Sequence, residues 1–129
     1  MKIKRIISCI MIAAILMMVC LMSVSAYSAS ATLTSGAYYA KTTELGNAND
    51  AGEATASVSS TSTYSCKVSL MSYEGAGGAR ATVGYKVVAK GASGTTGWLS
   101  NSKPWLYGYL QPYGSSTGTG GSGTVWCYT

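Results

Sequence analysis

The chain has 129 residues, 47% of them hydrophobic and 10% charged, with a formal charge of +5 and no histidine. That length allows one small domain. The absence of histidine excludes His-based general base catalysis and His-ligated metal centres.

Lys2, Lys4 and Arg5 precede an apolar run of 17 residues from Ile6 to Met22, and 23–31 then reads SVSAYSASA. A basic start, an apolar run and a small-residue segment form the pattern of a signal peptide, which predicts a secreted protein. Cleavage after Ala26 or after Ala31 fits that pattern. A membrane anchor is the alternative, but 17 apolar residues lie at the low edge of what spans a bilayer. Cys9 and Cys20 fall inside the run and read as small hydrophobes. Removal of 1–31 leaves a single domain at 32–129, with six basic and four acidic side chains and a charge of +2. The charge of the whole chain is therefore partly an export feature. The remaining basic residues, Lys41, Lys67, Arg80, Lys86, Lys90 and Lys103, stand singly, so no nucleic-acid partner is expected.

The region after 31 is rich in Thr, Ser, Tyr, Val and Gly, a balance that favours strands. Ala37–Leu45 is a predicted first strand, closed by the turn-rich 46–52. Ala54, Ala56 and Val58 alternate with Thr55, Ser57 and Ser59, which predicts a second strand. Tyr64, Cys66, Val68 and Leu70 give the inward side of a third, and 74–78 a glycine-rich hairpin loop. From Ala79 to Lys90 apolar residues occupy the odd positions, and only Val88 breaks the alternation. This predicts a long strand with Ala81, Val83, Tyr85 and Val87 inside and Arg80, Thr82, Lys86 and Lys90 outside. Gly91–Gly94 is a turn, 97–100 a short extended piece, and Pro104 a break. Trp105–Leu110 and Thr124–Tyr128 are the last strands, separated by a Gly/Ser/Thr segment at 114–123 that reads as a flexible loop. Six or seven short antiparallel strands in one domain predict an all-β fold, a small β-sandwich.

Cys66 and Cys127 are the cysteines of the exported region, and their pairing in one disulfide is expected. Closing a loop of about 60 residues would stabilise by about 4 kcal/mol in the chain-entropy model.

No catalytic constellation is visible, so a non-enzymatic role is expected. The acids Glu44, Asp50, Glu53 and Glu74 sit in or beside predicted turns, where carboxylates are ordinarily solvated. Asn47, Asn49, Asp50 and Glu53 could supply oxygen ligands to calcium, but the run reads better as turn chemistry. Neither a metal nor a cofactor is expected.

The aromatics are the informative feature: ten Tyr, three Trp and no Phe, so every large ring carries a polar tip. Trp105, Tyr107 and Tyr109 share one face of their strand, and Trp126 and Tyr128 one face of theirs. With Leu106, Leu110 and Cys127 inside, these five rings form an outward platform able to stack on sugar rings or meet a partner. Strand phase alone does not decide which face is inside, so a core role for the same stripe is equally open. Arg80, Lys86 and Lys90 form a candidate basic face, ordinarily a solvated one, with anionic wall polymers a further contact.

An export leader followed by a Gly-, Tyr- and Trp-rich β domain ending in Val125–Thr129 loosely resembles the small secreted β-rich bacteriocins of the lactococcin 972 type. The resemblance implies an antimicrobial acting on an envelope target. The leading expectation is a secreted β-sandwich, not spanning a membrane once processed, that binds a cell-wall glycan or a surface protein through Tyr and Trp. An inert matrix component is the third reading. The residues do not indicate an oligomeric state.

Overall fold

The computed structural model describes residues 27–129. The leader pattern at 1–26, with Cys9 and Cys20, lies outside the described residues. Among the described residues ten strands form two antiparallel sheets, and there is no helix. They are β1 (Ser28–Leu33), β2 (Ala40–Lys41), β3 (Leu45–Gly46), β4 (Ala51–Val58), β5 (Cys66–Tyr73), β6 (Arg80–Val88), β7 (Ser93–Thr95), β8 (Leu99–Ser100), β9 (Trp105–Pro112) and β10 (Gly123–Tyr128). One sheet runs β1-β10-β4-β7, with β8 also on β4; the other runs β2-β9-β5-β6, with β3 also on β9.

The two-residue period decides what lies between the sheets. Ala54, Ala56 and Val58 of β4, Cys66, Val68 and Leu70 of β5, Leu106 and Leu110 of β9, and Val125 and Cys127 of β10 all point inward and are buried. Leu33 of β1 completes this core. Each fully buried Leu or Val contributes about 1.5–3 kcal/mol relative to exposure. Gly108 marks one place where the sheets approach closely. A Cβ there would stand 2.9 Å from Val125 Cγ2 and 3.4 Å from Cys127 Cβ, so no larger side chain fits without movement.

The all-β sandwich is as the sequence predicts, with six strands of six or more residues and four short ones. Four features differ. β1 was hidden in the small-residue stretch after the apolar run; it pairs along its whole length with β10. A chain cut after Ala31 would keep only Thr32 and Leu33 of this strand, whereas a cut after Ala26 leaves it whole. The predicted first strand is broken into β2 and β3. Between them Thr42 is buried, its Oγ1 accepting from Gly108 N at 3.0 Å.

The long strand β6 carries the third difference. Leu70 pairs with Gly84 but Met71 with Thr82, so Val83 is an extra residue, a β-bulge. The bulge flips the alternation. Val88, the apparent break, lies in the core, while Tyr85, expected inside, is 64% exposed. The fourth concerns 114–123, whose composition suggests flexibility. It is tied down: Gly120 N donates to Ser35 O, Thr63 N donates to Gly120 O, and Ser115 Oγ donates to Thr119 O. Gly120 has φ of 93°, and a Cβ there would strike the Tyr64 ring at 2.9 Å, so glycine is required on both counts.

The expected disulfide is absent. Cys66 and Cys127 are free, buried thiols at different levels of the core. Cys66 pairs with Pro112 at one end of β9, and Cys127 faces Gly108. Four residues of strand separate those levels, about 13 Å, well beyond the span a disulfide allows. Both share an inward phase, which strand period reveals; depth along the strand it does not. Burial raises both thiol pKa values, Cys127 to about 12. Neither thiol is expected to react with a thiol reagent until the protein unfolds, and reductant is expected to leave the Tm unchanged. A Tm lowered by reductant would contradict this.

Candidate aromatic and basic groove

The outer face of the β2-β9-β5-β6 sheet gathers aromatic and charged residues. Along β9 the outward positions are Trp105, Tyr107, Tyr109 and Gln111, because Leu106, Gly108 and Leu110 fill the core. Register then sets their neighbours. Tyr73 of β5 and, beyond it, Arg80 of β6 lie level with Trp105; Met71 and Thr82 lie level with Tyr107; Ser69 and Tyr85 lie level with Tyr109. On the other side Lys41 of β2 pairs with Tyr109. Arg80 reaches this face only because of the bulge at Val83.

Tyr39, just before β2, stacks on Tyr109 with ring centroids 5.0 Å apart and planes 19° from parallel. Tyr107 forms the floor between two cations, Lys41 Nζ 5.0 Å and the Arg80 guanidinium 5.1 Å from its ring centroid. The same guanidinium lies 4.0 Å from the Tyr73 ring. Tyr39, Lys41, Arg80, Tyr107 and Tyr109 line an open groove of about 380 Å³. A second hollow of about 330 Å³ lies beside it, lined by Glu44, Tyr73, Gly75, Ala76 and Trp105.

Glu44 joins the cations. Its Oε1 accepts from Lys41 Nζ at 2.6 Å and from Arg80 Nη1 at 3.1 Å. The hydrogen bond from Lys41, helped by Arg80, lowers its pKa from 4.5 to about 2. A carboxylate held ionised so far below neutrality is a structural anion rather than a proton donor. A folded-state pKa below the unfolded value means that the clamp contributes fully above about pH 4.5 and that its contribution is lost as pH falls towards 2. Thermal stability is accordingly expected to decline over that window, and Glu44→Gln to flatten part of the decline. An unchanged pH profile in Glu44→Gln would show that the clamp adds nothing. Burial, with Tyr39 and Tyr107 nearby, raises the Tyr109 pKa, so its hydroxyl stays a donor at neutral pH.

The five predicted platform rings do not form one surface. Trp105, Tyr107 and Tyr109 lie on this sheet, while Trp126 and Tyr128 lie on the outer face of the other, on the far side of the sandwich. Tyr107 is only 3% exposed, covered by its two cations. The predicted basic face separates as well. Arg80 belongs to the groove, Lys86 lies past the bulge on the side facing Gly94 of β7, and Lys90 is in the turn after β6. Sequence reading missed Tyr39, Lys41, Glu44 and Tyr73. The adjacent pair Tyr38-Tyr39 was the one available signal, since one of the two must face out; both do. The Asn47 turn is structural: its Oδ1 accepts from Ala51 N at 3.0 Å and its Nδ2 donates to Lys103 O at 3.0 Å. Among the described residues, no three of Cys, Asp and Glu converge as metal ligands.

No family model and no curated protein matches the chain. Among solved structures it is similar to PirA, at 12% identity and a TM-score of 0.48, over 84% of this chain and 97% of that one. It is also similar to the carbohydrate-binding module CBM36 in complex with calcium and xylotriose, at 17% identity and a TM-score of 0.47, over 76% and 78%. A family 16 carbohydrate-binding module is similar at 9% identity and a TM-score of 0.41, over 76% and 72%. Two of these three neighbours are therefore carbohydrate-binding modules. The sandwich fold itself rests on the two sheets and their register.

Proposed function

We propose that the chain is a secreted, non-enzymatic glycan-binding domain whose site is the groove of Tyr39, Lys41, Arg80, Tyr107 and Tyr109. The observation that supports this reading is the stacked Tyr39–Tyr109 pair beside two fixed cations on an open sheet face. A sugar ring presents an apolar C–H face edged by hydroxyls. Tyr rings match the face, and Lys, Arg and Tyr hydroxyl groups match the edge. The groove's 380 Å³ is the size of a small-ligand site. A protein partner would need a contact of about 800 Å² per side.

Retardation of the purified chain in gels containing soluble polysaccharides tests the reading directly. Retardation by at least one of a panel of acidic and neutral wall glycans is expected, and Trp98→Ala, at an exposed ring off the groove, is expected to behave as wild type. Retardation by none would overturn it.

Secretion rests on the leader pattern, and β1 favours processing after Ala26 because the later cut removes most of a core-flanking strand. The exported protein is expected to begin at Tyr27 by intact mass. A first residue of Thr32 would mean that β1 is not needed for the fold.

A further inference from the structure

We infer that the opposite face of the sandwich carries a second, separate glycan site, built around Trp126 and selective for uncharged sugars. Register places its parts. Thr124 of β10 is flanked by Thr32 of β1 and Ser57 of β4, and Trp126 by Ser30 and Thr55. β7 extends the rows, with Ser93 beside Ser57 and Thr95 beside Thr55. Paired residues share a face, so this surface is a grid of hydroxyls, about 4.8 Å apart across strands, set around one indole ring. An open hollow of about 330 Å³ lies on it, lined by Thr32, Ser57, Ser59, Ser122, Gly123, Thr124 and Trp126. Thr32 and Ser57 are exposed, and Ser122, Thr124 and Trp126 half-buried, so hydroxyls and ring edge are within reach of a ligand.

None of these lining residues is charged. The acid of this face, Glu53, sits at its far end opposite Tyr128 and accepts from Thr55 Oγ1 at 3.1 Å. A carboxylated or sulfated ligand would find no cation here, whereas an uncharged sugar finds a ring for its apolar face and hydroxyls that both donate and accept. The groove on the other sheet, with Lys41, Arg80 and Glu44, is chemically different. With the sites on opposite faces, one domain can hold two glycan strands at once, and two weak contacts to one polymer network reinforce each other.

Calorimetric titration of the full chain with cellohexaose, xylohexaose and chitohexaose tests the site. At least one is expected to bind, with affinity reduced tenfold or more in both Trp126→Ala and Ser57→Lys and kept in Trp98→Ala, at an exposed ring that lines neither hollow. Ser57→Lys leaves the indole in place and alters an exposed position, so it reports on the site even if Trp126→Ala unfolds. Equal binding by Ser57→Lys and wild type would assign uncharged sugars elsewhere and overturn the inference. Absence of binding by all three sugars would do the same, as would concentration-dependent dimerisation removed by Ser57→Lys, which would assign the face to a second copy of the chain.

Discussion

Leu106→Ala is expected to lower unfolding free energy by about 2–5 kcal/mol, a large share of the 5–15 kcal/mol usual for a small domain. Leu106 is fully buried between the sheets and lies against the backbone of Gly52, where a Cβ would come within 2.6 Å of its Cδ1. Strands from both sheets frame it, and paired backbones cannot collapse to refill the space. The loss therefore includes both the burial of the side chain and the cavity left behind. With no disulfide linking Cys66 to Cys127, only packing and the backbone connections hold the two sheets together. Urea unfolding monitored by tryptophan emission checks this through the shift in midpoint at constant slope. A cost below about 1 kcal/mol would mean that the sheets are less closely packed here than the structure shows.

Tyr109→Ala is expected to weaken glycan binding tenfold or more, equivalent to at least about 1.4 kcal/mol. The substitution removes one ring of the stacked pair and leaves Tyr39, 54% exposed, without its support. Tyr39→Ala is expected to cost a similar factor. The double variant should lose less than the product of the two factors, because the rings act as one surface. Arg80→Lys separates charge from shape. It keeps a cation beside Glu44 but gives up the planar guanidinium lying 4.0 Å from the Tyr73 ring, so part of the affinity is expected to fall. Multiplicative losses in the double variant would show two independent contacts rather than a built site.

The two-layer architecture was legible because burial repeats every second residue. Ala54, Ala56 and Val58, and Cys66, Val68 and Leu70, read inward by period and are inward. Period could not locate the bulge at Val83, which depends on pairing with β5 and not on β6 alone. As a result the alternation pointed the wrong way over part of β6, and Arg80, Lys86 and Lys90 were grouped as one face. The same limit governed the cysteines: phase gave their direction, but their depth needed the register with Pro112 and Gly108. The aromatic stripe on β9 was visible, and its outward direction followed once Leu106 and Leu110 were assigned to the core. Its partners were not visible. Tyr39, Lys41 and Glu44 come from one segment and Tyr73 from another, both far from β9 in sequence, and only the strand order β2-β9-β5-β6 brings them to one groove.

The most direct test of the glycan-binding groove is backbone amide NMR of the isotope-labelled chain, titrated with oligosaccharides from the polysaccharide that retards it most. Saturable shifts are expected at Tyr39, Lys41, Tyr107 and Tyr109, reaching across β5 to Tyr73 and Arg80. Shifts that leave these residues unmoved, or no saturable shift with any oligosaccharide, would contradict the assignment of this groove as the binding site.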